Sequence, residues 1–491
     1  MIRRLAVSVL AFILAIPSLA QAPSPLEDAY FQAGAARLDA LKSREPISGR
    51  AKNVIVFIGD GMGVSTVTAA RIRAGQNQGL DGESYELAMD RLPWVGLSRT
   101  YSHDFQTADS AATATAILAG VKTRSGVVGL DQTVPRGDCA AADGANVPSL
   151  IEQAEAAGLA TGVVTTARIT HATPAAAYAH SADRNWEAEA PEGCTDIAAQ
   201  LIAWPVGDGL EVALGGGRSN FLPEGAPDPE DAGETGRRTD GRDLTKEWTA
   251  KSTNHVFAWN SAQFDGLDAY SDQKWLGLFE RSHMEYEVDR LEDTAGEPSL
   301  AAMTAKAITR LSRDPEGYVL LVEGARIDHA HHLGRAGRAL EDAIAFDAAI
   351  AAALDLTDPE ETLILVTADH SHTLTIAGYA ARGTSILGLA RRPDGAVIEA
   401  ADGKPYTTLG YINGPGAVFS GEPRQGRPDP SDGVIQGVNY RQQALVPASS
   451  QTHGGEDVTI YALGPQAHLV SGTLEQQVIY HILADALDFA D

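Results

Sequence analysis

The chain has 491 residues, of which 44% are hydrophobic and 21% charged, a composition that excludes disordered and collagen-like proteins. Its 38 Lys and Arg residues are outnumbered by 65 Asp and Glu residues, for a net charge of −27 at pH 7, which argues against binding to a nucleic acid duplex. The length allows about three domains, or one large α/β domain with insertions.

The first twenty residues have the pattern of a secretory signal peptide. Arg3 and Arg4 are followed by the apolar run Leu5–Ile16, and a small-x-small cleavage signal ends at Ala20. We predict cleavage after Ala20, leaving residues 21–491 as a single domain in a periplasmic or secreted location. No other run reaches the ~18 apolar residues that a membrane span needs, so no membrane anchor is expected.

Short apolar runs bounded by turn residues, with helical patterns between them, are typical of buried parallel strands. The predicted strands are Asn53–Ile58, Gly162–Thr166, Tyr318–Val322, Thr362–Thr367 and Val458–Ala462. The predicted helices are Ala111–Ala119, Ser149–Ala157, Leu300–Leu311 and Leu340–Leu354. This alternation predicts an α/β fold with a central, mostly parallel sheet and helices on both faces.

Three segments depart from this alternation or bear on export. Pro223–Asp243 is rich in Pro, Gly and charge and is predicted to be a surface loop, whereas Gly378–Ser450 is predicted to be an inserted subdomain. The two cysteines, Cys139 and Cys194, favour one disulfide in an exported chain. Two unpaired buried thiols are the alternative.

Acidic residues follow three of the predicted strands. Asp60 comes shortly after the first strand, Glu323 directly after the third, and Asp369 shortly after the fourth. In open α/β sheets the ligand crevice lies at the carboxyl ends of the strands. A single acid at such a position would be an ordinary turn or cap residue, but three together predict a shared functional site.

A histidine-rich segment follows Glu323 and strengthens this prediction. On a helix that begins near Arg326, Asp328 and His332 are separated by four residues and reach one cation from one face; the alternative is a solvated polar helix face. Several buried carboxylates without counterions would cost several kcal/mol per ion. Divalent cations are therefore predicted, with Zn²⁺ favoured by mixed His and carboxylate ligands and Mg²⁺ by oxygen ligands. His453, just before the last strand, can complete a zinc site.

Ser110 is the candidate nucleophile. The residues that follow it are small and favour a helix, so the serine is expected in a first helical turn, where free N–H groups and the helix dipole favour a phosphate or an alkoxide. An ordinary N-cap serine is the alternative interpretation. A serine hydroxyl is a weak nucleophile and needs a base or a metal to activate it, which the neighbouring acidic and histidine residues could supply.

Six motifs, in order from about Lys52 to the end of the chain, resemble the alkaline phosphatase family. They are Gly59-Asp60-Gly61-Met62-Gly63, Thr107-Ala108-Asp109-Ser110-Ala111, His171-Ala172-Thr173-Pro174, Val322-Glu323-Gly324, Ala368-Asp369-His370-Ser371-His372 and Thr452-His453. The resemblance implies an exported enzyme that hydrolyses phosphate monoesters through a phosphoserine intermediate at two Zn²⁺ ions and one Mg²⁺ ion. It also implies a homodimer, with residues 378–450 as a crown-like insertion at the dimer surface.

The resemblance also implies a role for individual residues. It assigns the first zinc to Asp328, His332 and His453; the second zinc to Asp60, Ser110, Asp369 and His370; magnesium to Asp60, Thr173 and Glu323, beside His171; and substrate binding to Arg184, Asp109 and His329. Arg184 is the phosphate clamp in this assignment, a role that suits its planar, two-pronged donor geometry.

The sequence departs from many bacterial members of the family at two positions. His171 replaces a carboxylate and His329 replaces a lysine or another residue, and histidines at both positions resemble the animal branch. A neutral imidazole at position 171 weakens the case for tightly held magnesium. Resemblance to the same branch implies the disulfide Cys139–Cys194. It also implies a fourth site, for calcium, formed by Glu230, the Phe279 carbonyl, Glu280 and Glu297, with Glu297 in place of the usual aspartate; a solvated acidic loop is the alternative.

Three other functions compete with this one. A metal-dependent phosphodiesterase or pyrophosphatase could use the same two-zinc site, but Thr173, Glu323 and Arg184 favour a monoester. A sulfatase is disfavoured because Ser110 lacks the Pro and Arg that normally follow a sulfatase nucleophile. A non-catalytic phosphate or metal binder would need neither a nucleophile at a helix start nor three adjoining cation sites.

Overall fold

The computed structural model describes residues 28–417, 427–430 and 432–489. The predicted signal peptide, residues 1–20, lies outside the described residues. Among the helices of the described ranges, none is both long and apolar enough to cross a membrane. The chain divides into the units Met1–Pro46 and Ile47–Asp491.

The unit Met1–Pro46 contributes one described helix, α1 (Ala29–Lys42). Asp28 is its N-cap, and its carboxylate accepts hydrogen bonds from the N–H groups of Tyr30 (2.9 Å) and Phe31 (3.0 Å). No residue of α1 is buried. The apolar side chains of α1 are therefore not part of a hydrophobic core.

All other elements belong to the unit Ile47–Asp491. The strands are β1 (Asn53–Gly59), β2 (Trp94–Arg99), β3 (Ala160–Arg168), β4 (Val212–Gly216), β5 (His255–Ala258), β6 (Lys274–Leu278), β7 (Tyr318–Gly324), β8 (Thr362–Ala368), β9 (Ser371–His372), β10 (Leu374–Ile376), β11 (Leu409–Gly414), β12 (Ala444–Pro447), β13 (His453–Gly454), β14 (Val458–Leu463) and β15 (Gly472–Glu475). The α-helices are α2 (Val64–Asn77), α3 (Ser110–Ala119), α4 (Leu150–Ala156), α5 (Ala172–Ala175), α6 (Ile197–Ala203), α7 (Leu244–Ala250), α8 (Ser261–Asp265), α9 (Leu300–Leu311), α10 (Arg326–His332), α11 (Ala336–Leu356), α12 (Asp432–Ile435) and α13 (Val478–Ala486).

The central sheet has ten strands in the order β15-β2-β14-β8-β1-β7-β3-β4-β6-β5. The run from β8 to β5 is entirely parallel. The prediction of a mostly parallel α/β sheet is therefore confirmed. The prediction that Val458–Ala462 is another parallel strand is wrong, because β14 pairs antiparallel with both β8 and β2.

Helices cover both faces of the sheet, because the side chains of each strand alternate between two apolar clusters. In β1, Ile55 and Phe57 pack into the cluster that includes apolar residues of α2, α9 and α11. Val54, Val56 and Ile58 pack into the cluster on the other face, with residues of α3, α4 and α13. Both faces of the strand are buried, which explains why its sequence is continuously apolar.

Three strand ends are level at one edge of the sheet. In the parallel register, Gly59 of β1 lies opposite Gly324 of β7 and Ala368 of β8. Asp60 and Asp369 directly follow β1 and β8, and Glu323 is the penultimate residue of β7. The register therefore brings the three predicted acidic residues to one edge, as the topology rule requires.

The insertion shares the core of the sheet domain. Among the described residues of 378–450, β11 and β12 form a three-stranded sheet with β10. Leu387, Leu409 and Tyr411 belong to the apolar cluster that also contains Ile55 and Phe57. The segment is thus anchored to the main core, and its crown-like role at a dimer surface stays a prediction.

Two further predictions concern covalent and loop structure. Cys139 and Cys194 form a disulfide with a Cα–Cα distance of 5.8 Å, so the predicted disulfide is confirmed.

The loop 223–243 is not uniformly exposed, because Asp228 and Arg238 are buried. Arg238 is bound by the carboxylate of Asp196 at 2.9 and 3.0 Å, which ties the loop to the start of α6.

Candidate functional site

Ser110 begins α3, and Asp109 is the N-cap of that helix. The Asp109 carboxylate accepts a hydrogen bond from the N–H group of Gly126 at 3.0 Å, which fixes the entry to the helix. The Ser110 side chain is buried, and its Oγ lies 3.3 Å from His370 Nε2 and 3.5 Å from Asp60 Oδ1. The hydroxyl therefore lies at the positive end of a helix, among side chains that can bind metal.

The three residues assigned to the first zinc lie together. His332 Nδ1 donates to the Gln451 carbonyl at 2.6 Å, and His453 Nδ1 donates to the Ala108 carbonyl at 2.9 Å. Each ring thus leaves an Nε2 lone pair free, and the two Nε2 atoms lie 3.2 Å apart. Asp328 Oδ2 is 3.3 Å from His332 Nε2, and Asp328 Oδ1 is 3.4 Å from His453 Nε2.

These spacings fit zinc. Tetrahedral zinc ligands at about 2.0–2.1 Å from the ion lie about 3.3 Å from one another. Two imidazole lone pairs facing each other repel unless a cation lies between them. The first triad, Asp328, His332 and His453, therefore has both the spacing and the donor chemistry of a zinc site.

The second group consists of Asp60, Ser110, Asp369 and His370. His370 Nε2 lies 3.1 Å from Asp369 Oδ2 and 3.5 Å from Asp60 Oδ1. Together with the two Ser110 Oγ distances, these separations between donor atoms match the spacing of ligands arranged tetrahedrally around one small cation. The rings of His370 and His453 are stacked with 3.6 Å between centroids, which makes the second group the immediate neighbour of the first triad.

The third group is oxygen-rich and deeply buried. Asp60 Oδ2 and Glu323 Oε1 are buried without a hydrogen-bond partner, whereas Glu323 Oε2 accepts a hydrogen bond from Thr165. Asp60, His171 and Glu323 are close enough to share a cation, and Thr173 is fully buried beside Glu323. Unpartnered buried carboxylate oxygens are costly, and a hard cation such as Mg²⁺ would satisfy them.

The electrostatics of the site favour bound cations. Burial, reinforced by the neighbouring Asp369 carboxylate, raises the pKa of Asp60 well above its usual value. Burial likewise raises the pKa of Asp369 to about 6 and that of Glu323 to about 8. Burial also opposes ionisation of Asp328, but the His332 imidazole helps to hold the pKa of Asp328 well below its usual value. Without cations, the site thus retains protons that metal binding would displace.

The structure adds His372, which the sequence did not predict as a site residue, beside the first triad. Its Nε2 lies 2.5 Å from Asp328 Oδ1, and its Nδ1 contacts the side-chain carbonyl of Gln451. On the short strand pair β9 and β13, His372 lies opposite His453. The sequence could have indicated His372, because the side chains at positions 370 and 372 of an extended chain point to the same side, and His370 is a predicted ligand.

The residues assigned to substrate binding meet beside Ser110. Arg184 donates from Nη1 to Asp109 Oδ2 and from Nη2 to His171 Nε2, both at 2.9 Å. Burial, together with the Arg184 charge, lowers the pKa of His171 well below its usual value. The His329 ring lies 5.6 Å from the His171 ring between centroids, and Arg326 Nη1 is 3.3 Å from His329 Nδ1. Two fixed guanidinium groups therefore flank a pair of neutral imidazoles.

The predicted fourth site is a separate acidic cluster. Glu230 and Glu280 lie together with Asp293, which the sequence had not indicated. Burial raises the pKa of Glu230 to about 7 and that of Glu280 to about 8. The Glu297 carboxylate instead accepts hydrogen bonds from one backbone N–H group at 3.1 and 3.2 Å. Phe279 directly follows β6, and its side chain is buried.

Known proteins are similar to this chain in sequence and in fold. A family model described as alkaline phosphatase matches residues 51–489. Tissue-nonspecific alkaline phosphatases of Gallus gallus and Homo sapiens are each 45% identical to this chain over 461 residues, covering 91% of it and 86% of the relative. A crystal structure of Thermus thermophilus alkaline phosphatase superposes with a TM-score of 0.66 at 26% identity, covering 92% of this chain and 94% of that one. A cold-active alkaline phosphatase of Shewanella sp. gives a TM-score of 0.61 at 25% identity, covering 89% and 99%.

Proposed function

The chain belongs to the alkaline phosphatase family and is a phosphoric monoester hydrolase, and from that premise we propose that Ser110 is its nucleophile and forms a phosphoserine intermediate. The observation that carries this proposal is the position of Ser110 Oγ, 3.3 Å from His370 Nε2 and 3.5 Å from Asp60 Oδ1. No other described serine begins a helix with its hydroxyl among these candidate metal ligands.

The donor sets support two zinc ions and one magnesium ion as cofactors. The first triad and the group of Asp60, Ser110, Asp369 and His370 would each hold a zinc ion, and Asp60, Thr173 and Glu323 would hold magnesium. When bound, these ions lower the pKa of the serine hydroxyl and of water and neutralise the charge of the departing oxygen. The orphaned oxygens of Asp60 and Glu323 support the third site most directly.

The chain's own residues position the phosphate. Asp109 and His171 each hold one nitrogen of Arg184, so the guanidinium is fixed before substrate arrives, and its remaining donors suit the non-bridging phosphate oxygens. The first-turn N–H groups of α3 add donors at the positive end of the helix. His329 Nε2 forms no hydrogen bond within the described part of the chain, which leaves it available to the phosphate.

The reaction is two displacements at phosphorus. The Ser110 hydroxyl donates a hydrogen bond to Asp60 Oδ1 at 3.5 Å. As Oγ attacks phosphorus, the serine proton passes to water, the bond from phosphorus to the leaving oxygen breaks, phosphoserine forms, and the departing oxygen takes up a proton from water. A water then attacks phosphorus and loses a proton to solvent, the Ser110 Oγ–phosphorus bond breaks, Oγ regains a proton from water, and inorganic phosphate leaves. Arg184 contacts the same phosphate throughout, so both steps use one fixed clamp.

Four further assignments belong to this proposal. The pattern of residues 1–20 supports export to the periplasm or the medium, and the family supports a homodimer with 378–450 as a crown-like insertion. Residues 21–491 would form one mature catalytic domain. The cluster of Glu230, Glu280 and Asp293 supports a fourth cation site, for calcium, with Glu297 and the Phe279 carbonyl as the remaining predicted ligands.

Ser110→Ala tests the nucleophile. We expect the variant to retain its fold and its metal content but to lose turnover of a chromogenic phosphate monoester, because no other group can form the covalent intermediate. Ser299→Ala is a matched control, since Ser299 caps α9 and is not part of the site. Mass spectrometry of acid-quenched protein should find phosphate on Ser110 in the control only. Turnover at the control's rate in Ser110→Ala would refute the assignment.

A further inference from the structure

We propose that Arg326 is a positioning residue that fixes the tautomer of His329, so that His329 presents an Nε2–H donor to the substrate phosphate. The inference rests on the proposed function, because it assumes that phosphate binds beside Arg184 and Ser110. It concerns a residue that neither contacts phosphate directly nor holds a metal.

The contact between the two side chains sets the position of the proton. Arg326 Nη1 lies 3.3 Å from His329 Nδ1. A guanidinium only donates hydrogen bonds, so Nδ1 must accept and the proton of the neutral ring must be on Nε2. Within the described residues His329 Nε2 has no hydrogen-bond partner, and the ring neighbours His171, which contacts the Arg184 clamp. The free donor therefore belongs to a ring that neighbours the residue holding the Arg184 clamp.

Arg326 is held so that it can act in this way. It is the first residue of α10, and its backbone N–H donates to Thr166 Oγ1 at 3.2 Å. Its guanidinium carbon lies 3.7 Å from the centre of the Tyr286 ring, a cation–π contact that orients the plane of the guanidinium. The contacts with Thr166 and Tyr286 thus constrain the backbone and the guanidinium of Arg326.

A third imidazole packs against His329 and restricts its rotation. The rings of His283 and His329 have centroids 4.1 Å apart. His283 is itself held by Arg168, whose Nη1 lies 2.5 Å from His283 Nε2. The neighbouring His283 ring restricts tilting of the His329 ring, and the Arg326 contact with Nδ1 favours the tautomer that carries the proton on Nε2.

The test compares Arg326→Met and Arg326→Lys with Arg338→Lys. Arg338 is the matched control, because its guanidinium lies over the same Tyr286 ring at 4.8 Å but bonds to Asp289 and Asn439 rather than to a histidine. We expect Arg326→Met to weaken inhibition by inorganic phosphate about tenfold, the scale of one hydrogen bond to a charged group. Nitrogen-15 NMR of labelled histidine should show the Nε2–H form of His329 in the wild type and in Arg338→Lys, and a tautomer mixture in Arg326→Met.

A double-mutant cycle separates positioning from general damage. In a His329→Ala background, adding Arg326→Met should cause no further loss of phosphate affinity, because the two residues act as one unit. Arg326→Leu, which likewise lacks a donor, serves if Arg326→Met does not fold, whereas Arg326→Lys keeps a donor and should retain the wild-type tautomer. Multiplicative losses in the cycle, or an unchanged tautomer in folded Arg326→Met or Arg326→Leu, would overturn the inference. A wild-type protein that neither cleaves a monoester nor binds phosphate would overturn the proposed function instead.

Discussion

Glu323→Gln should change the stability of the metal-free and metal-loaded proteins in opposite directions. The Glu323 carboxyl is fully buried, and one of its oxygens has no hydrogen-bond partner. Glutamine keeps the shape and still accepts the hydrogen bond from Thr165, but it carries no charge. Without metal the substitution removes a buried acid, whereas with metal it removes a ligand.

The pKa of the group sets the magnitude. Burial raises the pKa of Glu323 to about 8 from a reference value of 4.5, so the folded state binds a proton that the unfolded state releases. For an acid with a raised pKa, stability is lost as pH rises from 4.5 to about 8. At about 1.4 kcal/mol per pH unit, the metal-free wild type should be less stable than Glu323→Gln by about 3 kcal/mol at pH 7 and by about 5 kcal/mol above pH 8.

The assay is urea unfolding of chelator-treated protein, followed by tryptophan fluorescence at pH 5, 7 and 8.5. We expect the two metal-free proteins to unfold at similar urea concentrations at pH 5 and the variant to be the more stable at pH 8.5. Added Mg²⁺ should stabilise the wild type and leave the variant nearly unchanged. Glu316→Gln, at an exposed position, is the control and should follow the wild type throughout.

Either of two results would refute this reasoning. If metal-free Glu323→Gln is no more stable than metal-free wild type at pH 8.5, the carboxylate is not held at an electrostatic cost. If Mg²⁺ stabilises the variant as strongly as the wild type, Glu323 is not a ligand.

Two other substitutions probe the surroundings of the site. Replacing both Cys139 and Cys194 with alanine should lower the free energy of unfolding by about 4 kcal/mol, because the disulfide joins positions 55 residues apart and so restricts the unfolded chain. Denaturant unfolding measures the loss. A reducing agent should cause the same loss in the wild type and none in the variant. Gly61→Ala should lower the melting temperature and the zinc content, because Gly61 has a φ of +68° and a Cβ there would lie 2.5 Å from the His372 ring. Metal analysis showing full zinc occupancy in this variant would contradict the placement of His372.

The parts of the site that lie at parallel strand ends were predictable from sequence. Asp60, Glu323 and Asp369 each follow or end a continuously apolar run, and one topological rule places such residues at a common edge. The helix from Arg326 to His332 was predictable for a similar reason, because the separation of Asp328 and His332 has meaning only on a helix. In both cases a short stretch of sequence is enough to predict which side chains lie close together.

Other features depend on pairings that local sequence does not encode. The apolar run of β14 is compatible with either strand direction, and the antiparallel choice depends on its neighbours β8 and β2. Thr165 becomes a partner of Glu323 only through the register of β3 on β7. The Gln451 carbonyl that orients His332 comes from more than a hundred residues away. Asp293 joins Glu230 and Glu280 through loops, for which periodicity offers no signal.

The donors around Ser110 are drawn from nearly the whole length of the chain, from Asp60 to His453. Within the first triad, Asp328 and His332 lie on one helix, whereas His453 follows more than a hundred residues later on β13. Its three donors therefore come together only when β13 has paired with β9. On the proposed assignment, zinc would enter this triad after the sheet has formed, so zinc content would report whether the chain has matured correctly.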